Sequence, residues 1–359
     1  MLSGTLANGW KATRRLLPTL LLGLVGGALA YGAGLPLPWL LGAMLVTTAA
    51  SLTGVRLRSP GGSRQVVLVI IGVMLGTAFS PGMSGDLLHW GASLIIMLLA
   101  TAVMMAISVS FSRRVAGYSA DTALYAGVPG GVSAVTLMAM NSRADLCIVG
   151  MTHAVRILIL LLAIPPILQS IGHVSLQPGT RDLAQWLWLP SLGETGWLIA
   201  AGVGGSWLGR RLRLPNALLF GPALVSAALH ITGMSQAAIP PTVMALAQVV
   251  IGVSVGVRFA GTSLREMGRN LLMAALQAVM LLLVAVLAAW GAHELTGYSP
   301  AAALLAYMPG GAPELSLVAL SLNIDPAFVT SHHLLRISVL ILAMPVLLNY
   351  YKKRSAEAD

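Results

Sequence analysis

Charged residues are scarce in this sequence of 359 residues, of which 9% are Asp, Glu, Lys or Arg and 57% are hydrophobic. A soluble globular chain carries about 25% charged residues, which keep its surface in contact with water. The shortage excludes an ordinary cytosolic enzyme, a disordered chain and a coiled coil. We therefore predict an integral membrane protein whose first partner is the lipid bilayer.

Acidic residues are the scarcer of the two charged classes, with 11 Asp and Glu against 21 Lys and Arg and a formal net charge of +10. A basic chain can bind nucleic acid through the phosphate backbone. Here the longest basic run is Lys352-Lys353-Arg354, and the other cations lie in short loops between apolar runs. That distribution is typical of membrane proteins, so we expect no direct binding of nucleic acid.

Metal-binding and catalytic motifs are also lacking. Cys147 is the single cysteine, so an internal disulfide and a cysteine-based metal cage are excluded. The adjacent His332 and His333 point about 100° apart on a helix and cannot share one metal ion. There is no phosphate-binding loop and no pair of nucleophile and base. We expect no metal, no cofactor and no enzymatic activity.

Long apolar stretches are what the sequence has in abundance, and most of them approach the roughly 20 residues that a spanning helix needs. They form two similar sets on either side of a polar stretch from His173 to Glu194. We therefore divide the chain into a first repeat (1–172), a linker (173–194) and a second repeat (195–359).

An internal duplication relates the two sets. Residues that match at an offset of 180 positions include Gly117 and Gly297, Pro129-Gly130-Gly131 and Pro309-Gly310-Gly311, Asp145 and Asp325, His153 and His333, Arg156 and Arg336, and Pro165 and Pro345. Chance does not produce so many matches at polar, glycine and proline positions, so the two sets are repeats of one structural unit.

The loop cations predict how the repeats are oriented. If every apolar segment crosses the bilayer, Arg143 and the cations of 210–213 and 258–269 lie outside. If segments 119–141 and 299–322 instead re-enter on their own side, Arg181 alone lies outside, which fits the positive-inside rule far better. Each half of such a segment spans roughly 15–18 Å, half a bilayer. We predict an all-α bundle of two inverted repeats, each with about five spanning helices and one re-entrant broken helix, and with both termini cytoplasmic.

The Pro-Gly-Gly motifs are candidate binding sites. We call Pro129-Gly130-Gly131 the first break and Pro309-Gly310-Gly311 the second break. Proline removes a backbone donor and glycine permits unwound backbone, which frees carbonyls and amides at membrane depth. Breaks at matching places in inverted halves are typical of a transporter's central site. The alternative is a pair of kinks that only permit close packing.

Arg156 and Arg336 lie deep in apolar runs, where a charge costs about 2.5–3.5 kcal/mol. They must face the protein interior, either binding an anionic substrate or a titrating acid, or closing ion pairs and capping carbonyls of the broken helices. Glu314 follows the second break where the first repeat has Ala134. It is a candidate proton or sodium site, with a salt bridge to either arginine as the alternative.

Four further polar residues are secondary candidates. Asp145 and Asp325 each begin a helix, so capping is favoured over ion binding. His153 and His333 lie one turn before the arginines. A hydrogen bond to a backbone carbonyl is favoured for them over proton relay.

The order of Pro-Gly-Gly, aspartate, histidine and arginine, present twice between Pro129 and Arg336, resembles the AbrB family of bacterial inner-membrane proteins. The resemblance covers about residues 17–350 and implies an inner-membrane location. Members have been labelled regulators of gene expression or ammonia monooxygenases. The layout is also similar to the cation/proton antiporter and bile-acid symporter superfamily, whose core contains broken helices. Those helices often cross each other, whereas the loop charges here predict re-entrant ones.

We therefore expect a secondary transporter of a small solute, and the paired arginines favour an anion. The alternative is a membrane protein that does not transport and influences gene expression indirectly. A copper-dependent monooxygenase is disfavoured. Glycine pairs at Gly23/Gly27 and Gly205/Gly209 have the spacing of helix-packing motifs, within the fold or in a homodimer.

Overall fold

The computed structural model describes residues 2–55, 57–59, 61–81, 89–171, 183–261 and 264–356, and within these ranges the chain forms helices and turns without a strand. The α-helices are α1 (Leu2–Gly32), α2 (Pro38–Leu52), α3 (Gly61–Gly76), α4 (Gly91–Arg114), α5 (Ala120–Gly127), α6 (Val132–Ala139), α7 (Leu146–Ile171), α8 (Leu183–Trp186), α9 (Leu192–Arg211), α10 (Ala217–Ile231), α11 (Pro241–Gly256), α12 (Leu264–Thr296), α13 (Pro300–Tyr307), α14 (Ala312–Ser321) and α15 (Pro326–Ala356).

Several of these helices are long and apolar enough to cross a membrane. The five stretches that meet both conditions in the described part of the chain are Gly91–Arg114, Leu146–Ile171, Pro241–Phe259, Gly268–Thr296 and Pro326–Met344. Shorter apolar helices accompany them. The predicted all-α, multi-pass membrane bundle is thus confirmed, while the inverted orientation of the repeats stays a prediction. The predicted linker lies partly outside the described residues.

The chain divides into two compact units that do not coincide with the repeats. The first unit comprises Met1–Leu68, Ser175–Pro190 and Ile239–Met267. In it α1 and α2 approach so closely that a methyl group on Gly42 would collide with the carbonyl oxygen of Gly26. Helix α11, from the second repeat, packs on α2 in the same way, with Gly252 against the backbone of Leu40. Small residues at these crossings replace side-chain packing by backbone contact.

The second unit comprises Val69–Val174, Ser191–Ala238 and Gly268–Asp359. Here α9 and α10 meet through Gly205 and Gly221, and the second half of α3 packs on α10 through Gly72 and Gly76. Ser226 Oγ donates to the carbonyl oxygen of Val73 at 2.9 Å, which fixes this contact. The third helix of each repeat therefore packs on the first two helices of the other repeat: α11 packs with α1 and α2, and α3 packs with α9 and α10. This helix exchange was not predicted.

Both predicted breaks interrupt a helix of the second unit. The first break separates α5 from α6 and the second separates α13 from α14. Gly130 (φ 135°) and Gly131 (φ 63°) have positive φ, a backbone conformation open to glycine and costly for other residues. In the second break Gly311 is extended (φ −71°, ψ 129°). The two breaks thus differ in conformation despite their identical sequences.

Candidate functional site

Arg156 caps the carboxyl end of the first half-helix, α5. Its side chain extends from α7 and is 1% exposed. Nη1 donates to the carbonyl oxygen of Val128 and Nη2 to that of Ala126, both at 2.7 Å. The last carbonyls of a helix lack intrahelical donors and carry its negative partial charge. The contacts match the second alternative for this arginine, in which it caps carbonyls of the broken helix.

Arg336 has the same position in the second repeat. It extends from α15, is 0% exposed, and donates through Nη1 to the carbonyl oxygen of Tyr307, the last residue of α13, at 3.1 Å. The duplicated arginines therefore neutralise the negative ends of the two half-helices that lead into the breaks.

Each arginine is oriented by the histidine one turn earlier. Nε2 of His153 contacts the carbonyl oxygen of Tyr125 at 3.1 Å, and Nε2 of His333 contacts that of Leu305 at 3.1 Å. A carbonyl only accepts, so Nε2 carries the proton and Nδ1 is left as an acceptor. The Nη2 of Arg336 donates to Nδ1 of His333 at 2.6 Å, and the corresponding distance from Arg156 is 3.4 Å. Both histidines thus contact backbone carbonyls, the alternative that the sequence favoured over proton relay.

Arg336 also lies beside the first break. A Cβ atom built on Gly130 would be 3.7 Å from its Nε, and one built on Gly131 would be 3.8 Å from Cγ2 of Ile337. One buried side chain of the second repeat thus caps the half-helix that leads into the second break and lies near the first break. Nε of Arg336 is buried and has no hydrogen-bond partner among the described residues. That donor is free for another acceptor.

Glu314 bends back toward the amino end of its own helix, α14. It is 2% exposed and lies in the first helical turn, where the helix carries positive partial charge. A methyl group on Gly311 would collide with its carboxylate. Its Oε2 has no hydrogen-bond partner in the described part of the chain, and no ion pair there joins it to Arg156 or Arg336. The alternative of a salt bridge from Glu314 to either arginine is thus not found among the described residues.

The two aspartates cap helices. Oδ1 of Asp145 accepts from the backbone N–H groups of Cys147 (2.9 Å) and Ile148 (3.1 Å), at the start of α7. Oδ1 of Asp325 accepts from the N–H of Phe328 at 3.1 Å, at the start of α15. These contacts match the capping alternative, and they hold the helices that carry the arginines.

A second polar cluster, formed by Ser93, Tyr307 and His332, was missed by sequence reasoning. Oγ of Ser93 lies 2.8 Å from Oη of Tyr307 and 2.9 Å from Nε2 of His332, and all three residues are buried. Since Nδ1 of His332 must donate to the carbonyl of Phe328 at 2.8 Å, its Nε2 accepts from the serine hydroxyl. The cluster joins α4 to α13 and α15.

A signal for this cluster was available in the duplication. Tyr307 and His332 correspond to Gly127 and Thr152 in the first repeat, just as Glu314 corresponds to Ala134. Polar residues that break the internal symmetry thus lie around both broken helices, since Asp121 and Thr122 of the first correspond to Ala301 and Ala302 of the second. Within the described ranges, no group of three or more His, Cys, Asp or Glu side chains could hold a metal ion.

The chain is similar to known proteins over most of its length. The family model described as "Transition state regulatory protein AbrB" matches residues 5–352. The chain belongs to the AbrB family. Among its relatives, the "Putative regulator AbrB" of Escherichia coli (strain K12) is 26% identical over 332 residues, covering 90% of this chain and 93% of the relative. The "Uncharacterized protein YhjN" of Bacillus subtilis (strain 168) is 25% identical over 349 residues, covering 89% and 88%. Both relatives match this AbrB-family chain across both repeats.

Proposed function

We propose that this protein is a secondary transporter of a small solute, which binds between the two breaks. The observation that carries the proposal is the position of Arg336, whose Nη1 donates to Tyr307, two residues before the second break, while its Nε lies near Gly130 in the first. Irregular backbone at membrane depth is tolerated where it is buried in protein or lines a cavity. Two such breaks near one buried cation form a suitable centre for alternating access.

Glu314 is the proposed coupling residue. It is a buried acid with an unpartnered oxygen, and no cation of the described chain forms an ion pair with it. A carboxylate of this kind can bind a proton or a sodium ion and release it when the site opens to water.

The remaining features of the proposal concern orientation and partners. We propose inverted repeats, each with a re-entrant broken helix, in the inner membrane with both termini in the cytoplasm; the distribution of loop cations supports this arrangement. The protein would act without metal, cofactor, enzymatic step or nucleic acid. A homodimer stays a proposal that Gly23/Gly27 and Gly205/Gly209 do not support, because these glycines pack on other helices of the same chain.

Flux into proteoliposomes tests the function directly. Purified protein is reconstituted, and uptake of radiolabelled small carboxylates is measured with an imposed proton or sodium gradient. We expect gradient-dependent uptake that Glu314→Gln uncouples. Absence of uptake for every solute under both gradients, with correctly folded protein in the vesicles, would contradict transport.

A regulatory role is the second candidate, and the printed name of the Escherichia coli relative favours it. A transporter changes gene expression only through the solute that it moves, whereas a regulator that does not transport needs no flux. These two roles predict different results in a strain that carries a transport-inactive Arg336→Lys protein at normal abundance. Expression changes that persist in this strain support regulation without transport, and expression changes that disappear support the transporter.

A further inference from the structure

The amino ends of α6 and α14 face the two breaks, and they are not equivalent. Position N3 of α14 is Glu314, whose carboxylate bends back to the helix start at Gly311. Position N3 of α6 is Ala134, and its N-cap, Gly131, makes no side-chain capping bond. The first N–H groups of a helix lack intrahelical acceptors and carry positive partial charge. An internal carboxylate therefore fills this position in the second repeat and none does so in the first.

Arg336 supplies a second and independent observation at the amino end of α6. Its capping contacts use Nη1, toward Tyr307, and Nη2, toward His333. Its Nε is buried, has no partner among the described residues, and lies 3.7 Å from a Cβ atom built on Gly130, directly before the N-cap of α6. Nε of Arg156 is buried without a partner among the described residues as well, but it is Nε of Arg336 that lies close to the helix start without an acid of its own.

The charges of the buried side chains indicate an anion as the ligand. Among the described residues, the buried Arg, Lys, Asp and Glu side chains are Arg156, Arg336 and Glu314. The two arginines exceed the one acid by a single formal charge, which the negative helix ends that they cap offset in part. A buried charge without a full counter-charge is unfavourable, and a single monovalent anion would balance this excess.

We infer that the site binds one small monovalent carboxylate, held by the Nε–H of Arg336 and the amino end of α6. A carboxylate fits because its two oxygens accept from the guanidinium and from backbone N–H groups together. The duplicated protein thus has one anion site and not two, since Glu314 fills the equivalent position in the second repeat. The inference rests on the proposed transport function for its biological role, but the binding itself does not require transport.

Binding of acetate to the full-length protein in detergent provides the test. Thermal unfolding and isothermal titration are measured with sodium acetate, with acetamide, which has nearly the same shape and no charge, and with sodium chloride at equal ionic strength. We expect acetate to raise the melting temperature and to bind at one site per chain. Equal stabilisation by acetamide or chloride, or two acetate sites, would overturn the inference.

Substitution at position 134 tests where the acetate lies. Ala134→Glu places an acid where the second repeat has one, and we expect it to weaken acetate binding about ten- to hundredfold, the range expected when a charge-assisted hydrogen bond is lost. Ala134→Gln is the matched control, with almost the same volume and no charge, and should bind acetate normally. Equal loss in both variants would show that bulk, not charge, is responsible, and the site would be wrong.

Replacing Glu314 by a neutral residue should change acetate binding in the opposite direction to Ala134→Glu. Glu314→Gln removes the negative charge of the core, so acetate should bind more tightly than in the wild type. Weaker binding in this variant would contradict the charge balance. Failure of the proposed function has a different signature: acetate binding intact in detergent but no flux in proteoliposomes refutes transport and leaves the anion site standing.

Discussion

Arg336 and His333 lie one helical turn apart on α15, and a 2.6 Å hydrogen bond joins Nη2 of the arginine to Nδ1 of the histidine. The histidine is itself held by the carbonyl oxygen of Leu305. The arginine is therefore positioned from two sides, by the helix that carries it and by the half-helix that it caps. Such a buried network is stable only if every member keeps its partner.

The first prediction concerns this pair. His333→Ala removes the acceptor for Arg336 and leaves the carbonyl of Leu305 without its donor, so it should destabilise the protein by about 1–3 kcal/mol. His153→Ala should cost less, because its contact with Arg156 is 3.4 Å long. Thermal unfolding in detergent measures both. The reverse order of the two losses would contradict the orienting role.

The second prediction separates the two arginines. Arg156 spans two carbonyl oxygens, those of Ala126 and Val128, and a lysine cannot bridge both with a planar fork. Arg156→Lys should therefore lower the free energy of unfolding by about 1–3 kcal/mol while acetate binding persists. Arg336→Lys should lose acetate binding as well, since Nε is absent from lysine. Thermal unfolding and titration calorimetry on the same preparations measure the two effects. Equal loss of binding in both variants would assign the anion to both arginines.

The third prediction concerns Glu314. Glu314→Gln should fold normally but lose the dependence of uptake on the proton or sodium gradient, because an amide takes up no proton and has no negative charge to hold a sodium ion. Glu194→Gln is a suitable control: Glu194 is also at N3 of a helix, α9, where it forms a capping box with Ser191. It should retain coupled uptake. Coupled uptake by the Glu314→Gln protein would exclude this residue as the coupling site.

The fourth prediction concerns topology and uses cysteine labelling in intact cells. Cys147 is exposed, so it is first replaced by serine. Cysteines placed next to the following residues should be labelled only after the cytoplasm is made accessible: Arg58, Arg113, Arg143, Arg211, Arg265 and Lys353. Labelling next to Arg181 should need no such treatment. Opposite accessibility at Arg113 and Arg143 would mean that segment 119–141 crosses the membrane, and the re-entrant prediction would be wrong.

Two kinds of feature could be predicted from the sequence: those that a few neighbouring residues determine, and those whose alternative is energetically very unfavourable. The breaks follow from proline and paired glycines, and the helix starts at Asp145 and Asp325 follow from capping chemistry. Burial of Arg156 and Arg336 follows because lipid exposure of a charge is too unfavourable. Each of these depends on a few neighbouring residues and on the solvent.

The partners of these features could not be predicted. The sequence left open whether the arginines cap carbonyls or form ion pairs, because both require only a buried cation. The helix exchange was also beyond reach, since a helix such as α11 is apolar on every side and has no single face that identifies its neighbour. The Ser93–Tyr307 contact joins residues far apart in sequence, so only the broken symmetry of the repeats pointed toward it.

The exchange of third helices has a consequence for biosynthesis. Helix α2 is synthesised early, yet its close packing against Gly252 of α11 must wait until the ribosome has made most of the second repeat. In the interval its small-residue surface is available to lipid or to a chaperone, and contacts between such distant segments form late in folding. Neither half of the chain can mature alone, so a gene cut between the repeats would yield active protein only when both pieces are expressed in the same membrane.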